Sequence, residues 1–247
     1  MKKIAFWILF FAPIILTAQD TGKISYEMTM DIHRRMTGDR AQFKEMVPQY
    51  RTIKAELLYH DGQAIYKNLP RSEEEVAEQA SHGRRMRFGM RNADDIVWLD
   101  YENNRRVESR EFMDKKFLIT GEPEAFEWKL TGETKQVGQY LCHQATYQDS
   151  TENVVAWFTP QLPVPLGPSR YGQLPGLILH VDVNEGERTL TALEINLDEE
   201  LDTSLIVEPK KGKEVTQEEF RSIMHEKMKE MGAQGGRGMM FRTRRSN

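Results

Sequence analysis

The chain has 247 residues, with 34 lysines and arginines against 38 aspartates and glutamates and a formal net charge of −4. That balance argues against nucleic acid as a general partner. A single cysteine, Cys142, excludes an internal disulfide, so stability has to come from an ordinary core.

Residues 1–18 read as a secretory signal peptide. Lys2 and Lys3 supply the positive start, Ile4 to Ile15 is apolar apart from Pro13, and Leu16-Thr17-Ala18 offers a small-residue cleavage site. The run is short for a membrane span, and no later run is long enough, so no transmembrane segment is expected in the mature chain. Without Lys2 and Lys3 the mature chain carries 32 basic side chains against 38 acidic ones, a net charge of −6.

Period-two alternation, which sends alternate side chains to one face of a sheet, dominates the mature chain. Ile24, Tyr26, Met28 and Met30 alternate with polar residues, as do Ile53, Ala55, Leu57 and Tyr59. The second run ends at Asp61-Gly62 and resumes at Ala64, which predicts a hairpin because both turn positions favour positive φ. Further strands are predicted at 96–101, 106–112, 117–120, 126–130, 140–147, 154–159, 177–183 and 189–197, mostly antiparallel because the connections are short. Two charged stretches, 31–50 and 70–93, read as solvated excursions; the cluster Arg84, Arg85, Arg87 and Arg91 is the alternative, a binding patch.

Residues 216–231 predict a helix. Thr216 and Glu219 form a capping box and Val215 staples onto Phe220. Phe220, Ile223, Met224, Met228 and Met231 share a face, and Gly232 ends the helix. Residues 232–247 form a glycine-rich basic tail, or Met240–Arg244 adds a last strand. The expected architecture is one mainly β domain over 19–231. It is a strongly curved antiparallel sheet or incomplete, bowl-like barrel, with the C-terminal helix packed against it.

The central region then shows ordered motifs. Trp128-Lys129 and Glu133-Thr134-Lys135 precede Gly138, Tyr140, Cys142 and Ala145. Ala156-Trp157-Phe158 leads to Pro163, Gly167-Pro168 and Tyr171-Gly172-Gln173-Leu174-Pro175-Gly176-Leu177-Ile178. These residues resemble the GLPGLI family of exported Bacteroidota proteins, with Gln173 as a departure from the hexapeptide. The resemblance implies export, a β-rich fold and an unassigned envelope role, and it brings no catalytic residues. Physically, Pro160, Pro163, Pro165, Pro168 and Pro175 stiffen a long connection. Pro175-Gly176 predicts a type II turn, and Leu174 and Leu177 plug the core.

No motif commits the chain to a chemistry. Gly167-Pro168-Ser169-Arg170-Tyr171-Gly172 is one residue too long for a nucleophile elbow and precedes a strand instead of coming after one. Cys142 and His143, as strand neighbours, point to opposite faces. In 177–183, Leu177, Leu179, Val181 and Val183 are expected on one face, with Ile178, His180 and Asp182 on the other. His180 and Asp182 could then share a hydrogen bond or a metal, or simply form a polar sheet face or a partly wet cavity. Trp128 and Trp157 are either core residues or the lining of an apolar concavity. Met224, Met228 and His225 have the softness for Cu(I), but the same spacing suits a core-facing helix. The sequence asks for no metal and no cofactor. The leading expectation is a non-enzymatic periplasmic or envelope-associated binding or assembly protein, holding an apolar small molecule or an envelope protein. A hydrolase of glycans or peptides using carboxylates such as Asp182 or Glu194 is the alternative; it requires two acids about 5–10 Å apart.

Overall fold

The computed structural model describes residues 21–70, 95–197 and 201–240, with the side chains of all but 39, 40 and 231–240. The expected signal peptide, nearly all of the charged stretch 70–93 with its arginine cluster, and residues 241–247 of the tail lie outside the described set.

A twelve-stranded sheet organises the chain, as the alternation predicts. Its strands are β1 (Thr21–Asp31), β2 (Tyr50–His60), β3 (Gln63–Asn68), β4 (Ile96–Asp100), β5 (Arg105–Phe112) and β6 (Lys115–Gly121). They continue with β7 (Lys129–Val137), β8 (Tyr140–Gln148), β9 (Asn153–Thr159), β10 (Leu177–Val183), β11 (Arg188–Asn196) and β12 (Lys213–Val215). The order is β12-β6-β5-β4-β3-β2-β1-β11-β10-β9-β8-β7, so the two end strands do not pair and the sheet is not closed. Every pairing is antiparallel except the short one of β12 with β6, a strand absent from the sequence expectation. The Asp61-Gly62 hairpin is present, with φ of 46° and 74°. The stretch 31–50 is more ordered than a solvated excursion. It holds two 3-10 segments, Ile32–Arg35 and Gly38–Met46, the first capped by the Asp31 carboxylate.

Two corrections concern strands. The alternation predicts one over 126–130, but β7 begins only at Lys129 and residues 122–128 have no regular structure. In β10, Ile178 pairs with Phe158 and His180 with Trp157, so Leu179 is an extra residue. Such a bulge resets the alternation. Ile178 therefore shares a face with Val181 and Val183, while His180 and Asp182 lie on the other. A run of three apolar residues, 177–179, carries no alternation from which a bulge could be read.

A sheet face has to be buried against something. The first face, bearing Tyr26, Leu57, Phe158 and Ile178, is covered mainly by residues 160–176, which bury Leu162, Val164, Leu166, Tyr171 and Leu174. Toward β6 the cover passes to α1 (Gln217–Met240), whose Phe220 packs on Phe117, Ile119 and Val215. The capping box is formed: Thr216 N–H donates to Glu219 Oε2 at 2.8 Å and Glu219 N–H to Thr216 Oγ1 at 3.2 Å. Helical backbone continues past Gly232 to Met240, because glycine weakens a helix by about 1 kcal/mol without forbidding it. Phe220, Ile223 and Met224 of the first turns pack in this cluster, whereas Met228, expected on the packed face, is exposed. The second face, bearing Leu58, Trp98 and Val107, is covered over β2–β6 by Ile206 and Leu201.

Candidate functional site

The connection from β9 to β10 doubles back on itself. Val164 N–H donates to Leu162 O and Leu166 N–H to Val164 O, both at 2.8 Å, while Gln173 N–H reaches Pro165 O and Ile178 N–H reaches Leu166 O, both at 2.9 Å. The expected type II turn at Pro175-Gly176 is not there. Gly176 N–H donates to Leu174 O at 2.7 Å, a three-residue turn, and Leu177 N–H is taken by Leu162 O at 2.9 Å instead. The cross-loop bond displaces the turn's own closing bond. Leu174 and Leu177 are buried, as a plug requires. Gly167 and Gly172 are sites of close approach: a Cβ at Gly167 would meet Ile178 Cβ and Tyr171 O at 2.8 Å, and one at Gly172 would meet Pro165 O and Tyr101 Oη at 3.2 Å.

Beside Pro168, the loop carries Arg170, the centre of a charge network that spacing did not reveal. Arg170 Nη1 donates to Glu124 Oε2 at 2.6 Å and its Nη2 to Glu152 Oε1. Glu124 Oε1 also accepts from Arg106 Nη1 at 3.0 Å, and Arg106 reaches Glu108 Oε1 at 2.5 Å. Arg110 Nη2 lies 2.7 Å from Glu108 Oε2, an ion contact without hydrogen-bond alignment. At the far end Arg188 Nη2 donates to the Tyr171 hydroxyl at 2.9 Å and lies 3.8 Å from Glu152 Oε2. Four arginines thus meet three glutamates drawn from β5, residues 122–128, the β8–β9 turn, the loop and β11. The turn is pinned by Asp149, whose carboxylate accepts from Thr151 N–H at 2.6 Å, Thr151 Oγ1 at 2.7 Å and Glu152 N–H at 2.8 Å. Those bonds, from Thr151 first, hold the Asp149 carboxyl well below the usual carboxylate range.

Aromatic rings surround Arg170. Phe126 stacks on Trp128 at 5.2 Å, and meets Tyr147 at 5.1 Å and Tyr171 at 5.4 Å. The guanidinium lies over Phe126 and Tyr171 at 5.9 and 5.4 Å. Trp128 Nε1 donates to Gly172 O at 2.9 Å.

The remaining candidates do not gather here. Trp157 is buried on the second face, under the Lys135 ammonium at 4.2 Å, so it shares no concavity with Trp128. His180 and Asp182 share that second face, as expected, but each has its own partner. His180 Nδ1 lies 2.8 Å from Thr191 Oγ1, and Asp182 Oδ1 accepts from Gly186 N–H at 2.6 Å. Glu194 is exposed and receives Asn196 Nδ2 at 3.2 Å. Asp182 faces Thr189, five residues from Glu194 along β11, roughly 17 Å away. The structure therefore does not pair these two acids. The acids it does bring together, Glu124 and Glu152 on Arg170 and Glu108 and Glu124 on Arg106, have both oxygens of each carboxylate within reach of the chain's own arginine or tyrosine donors. Met224 packs against the Phe117–Phe220 cluster while Met228 is exposed. Among the described residues no group of three His, Cys, Asp or Glu could hold a metal. A cleft of about 510 Å³ lies on the second face between β5, β6 and residues 208–214, lined by Val107, Leu118, Arg105, Glu208 and Lys210; none of the candidates lines it.

Burial pushes the Cys142 thiol up to about 11, so it is a poor nucleophile. Iodoacetamide is expected to leave Cys142 unlabelled in the native protein and to label it in urea; rapid native labelling would show the site to be open. Burial first, and then the Lys135 charge, lower the His180 pKa, with Asp182 opposing. The folded state thus keeps the imidazole neutral while the unfolded chain protonates near 6.5, so stability is lost as pH falls through and below that value. Urea midpoints between about pH 7.5 and 5.5 are expected to fall less steeply for His180→Gln than for the unaltered protein.

A family described as a protein of unknown function, Porph_ging, matches residues 147–180, the stretch that contains the β8–β9 turn, the loop and Arg170. Among solved structures the chain is similar to PNGF-II in two crystal forms, each with TM-score 0.52 and 16% identity, over 82% and 83% of this chain and 32% and 33% of that one. The chain spans about a third of PNGF-II. An uncharacterized conserved protein from Thermus thermophilus aligns with TM-score 0.42 and 7% identity, over 81% of this chain and 93% of that one. No curated protein matches.

Proposed function

We propose that this chain is an exported, non-enzymatic binding or assembly protein of the bacterial envelope, a member of the GLPGLI family working in the periplasm or at the outer membrane, and that its ligand is a protein. The single observation that carries the choice of ligand is that the first sheet face is filled by the chain's own loop. An apolar small molecule would need that space, and Leu162, Leu166, Tyr171 and Leu174 occupy it. The acids near the loop are held by arginines, which supports binding over hydrolysis. A fold that recurs as a third of a longer chain also behaves as a module.

The strongly curved, incomplete barrel belongs to this reading. Its support is the connection 122–128. β6 and β7 stand second and twelfth in the sheet order, ten spacings apart, which in a flat sheet is about 48 Å. From Gly121 to Lys129 the chain takes eight steps and reaches about 29 Å at full stretch. Curvature brings the two ends within that reach.

Native mass spectrometry of the exported protein is expected to give a ligand-free mass, and crosslinking in intact envelopes to recover a protein partner. One lipid per chain surviving purification would overturn the reading. So would turnover of a glycan or peptide that is abolished in Glu152→Gln.

A further inference from the structure

Residues 122–128 cross from β6 to β7 as an extended strap. Glu124, Phe126 and Trp128 are half-buried while Ala125 and Glu127 are exposed, the alternation of a strand. Yet no strand pairs with it: among the described residues, its one backbone bond outside regular elements is internal, Trp128 N–H to Phe126 O at 2.9 Å. Side chains hold it down. Glu124 sits between Arg106 and Arg170, Phe126 lies against Tyr147 and Tyr171, and Trp128 reaches the Gly172 carbonyl. An element without ladder bonds to its surroundings belongs to the least stable parts of a fold.

We infer that the strap is an internal stand-in for a ligand, and that the groove beneath it docks an extended partner segment carrying one carboxylate followed by two aromatic residues at alternate positions, as in Glu124-Ala125-Phe126-Glu127-Trp128. This rests on the binding-protein reading and names the partner's chemistry. Charge complementarity argues for an acidic occupant. With the strap in place four arginines face three glutamates, and with the strap lifted four face Glu108 and Glu152 alone. Arg106 and Arg170 would both lose the carboxylate they share, so an incoming acid is required to restore it. The aromatic walls and the Gly172 carbonyl supply the remaining contacts, an indole N–H donor included. Tethering gives the strap an effective concentration in the millimolar range, so a free segment competes poorly until the strap is weakened.

The test is calorimetric titration of the full chain with the capped peptide Glu-Ala-Phe-Glu-Trp. The E124Q/W128F double variant, whose strap has lost its ion pairs and its indole bond, is expected to bind the peptide at least 10-fold tighter than the unaltered protein. E124Q alone, a milder change, is expected to fall between them. A peptide with glutamine in place of its first glutamate is expected to lose that gain. Equal affinity in all three proteins, or equal binding of the peptide that lacks the first glutamate, overturns the inference. If the peptide fails while crosslinking still recovers an envelope partner, this groove is not the docking site even though the binding role stands.

Discussion

Replacing Gly176 with alanine is expected to cost about 3–5 kcal/mol of stability and to lower the urea midpoint accordingly, at the upper end of single-substitution effects. Two causes add. Gly176 has φ +148°, which an L side chain rarely adopts, and a Cβ there would stand 2.2 Å from Thr159 O and 2.6 Å from Thr159 C. Both of those atoms are backbone at the end of β9, so no rotamer change relieves the clash. Gly138→Ala is the control. Its φ is +58° but a Cβ meets nothing within 4 Å, so the expected loss is about 1 kcal/mol from conformation alone. Equal losses in the two variants would show that the close approach of the loop to β9 contributes little.

Arg170→Met is expected to cost about 2–4 kcal/mol. The guanidinium links Glu124 to Glu152, and methionine would leave both carboxylates facing apolar surface with fewer donors. A fully buried pair would lose about 3–5 kcal/mol when one partner is removed; the Arg170 side chain is 24% exposed, which lowers the figure. Arg105→Met breaks a bidentate pair with Glu208 at 2.6 and 3.0 Å, but that arginine is 51% exposed and the expected cost is within about 1 kcal/mol. A double-mutant cycle of Arg170 with Glu152 isolates the coupling. A cost for Arg170→Met no larger than for Arg105→Met would mean that solvent, not the network, satisfies these acids.

The sheet was legible because alternation is a local signal, and most of the strands of 21–60 and 140–196 obey it. Where structure and pattern part, a non-local cause is visible. Residues 126–130 alternate as a strand does because three side chains clamp an extended segment, and alternation reports which side chains are covered, not whether the backbone pairs. The bulge at Leu179 sits in an apolar run. Three-residue β12 is too short for any period. The network around Arg170 was invisible for another reason: Arg106, Glu124, Glu152, Arg170 and Arg188 come from five separate segments, and only the folded sheet brings them together. Their one local trace is an arginine beside the motif, which by itself suggests no more than a stiff corner. The candidates visible in the sequence are neighbours in the chain, His180 with Asp182 and Cys142 with His143, and His180 and Asp182 each find a partner on another strand or in a turn.

The position of β1 has a consequence for how the chain reaches its final state. It is the first strand described, yet it lies in the middle of the sheet, with Lys23 facing Leu58 of β2 on one side and Asn196 of β11 on the other. Synthesis from the N-terminus can assemble β1 to β6 as a meander from nearest neighbours. The other edge of β1 then stays bare until the 75 residues from 122 to 196, ending with β11, have been made. Contacts of such sequence separation come late and slowly, since loop-closure entropy is lost before they form. Until then that edge presents unpaired backbone beside Ile24, Tyr26 and Met28, the kind of surface that chaperones cover. Fragments ending before β11 are therefore expected to aggregate, whereas the full chain closes the seam with its own eleventh strand.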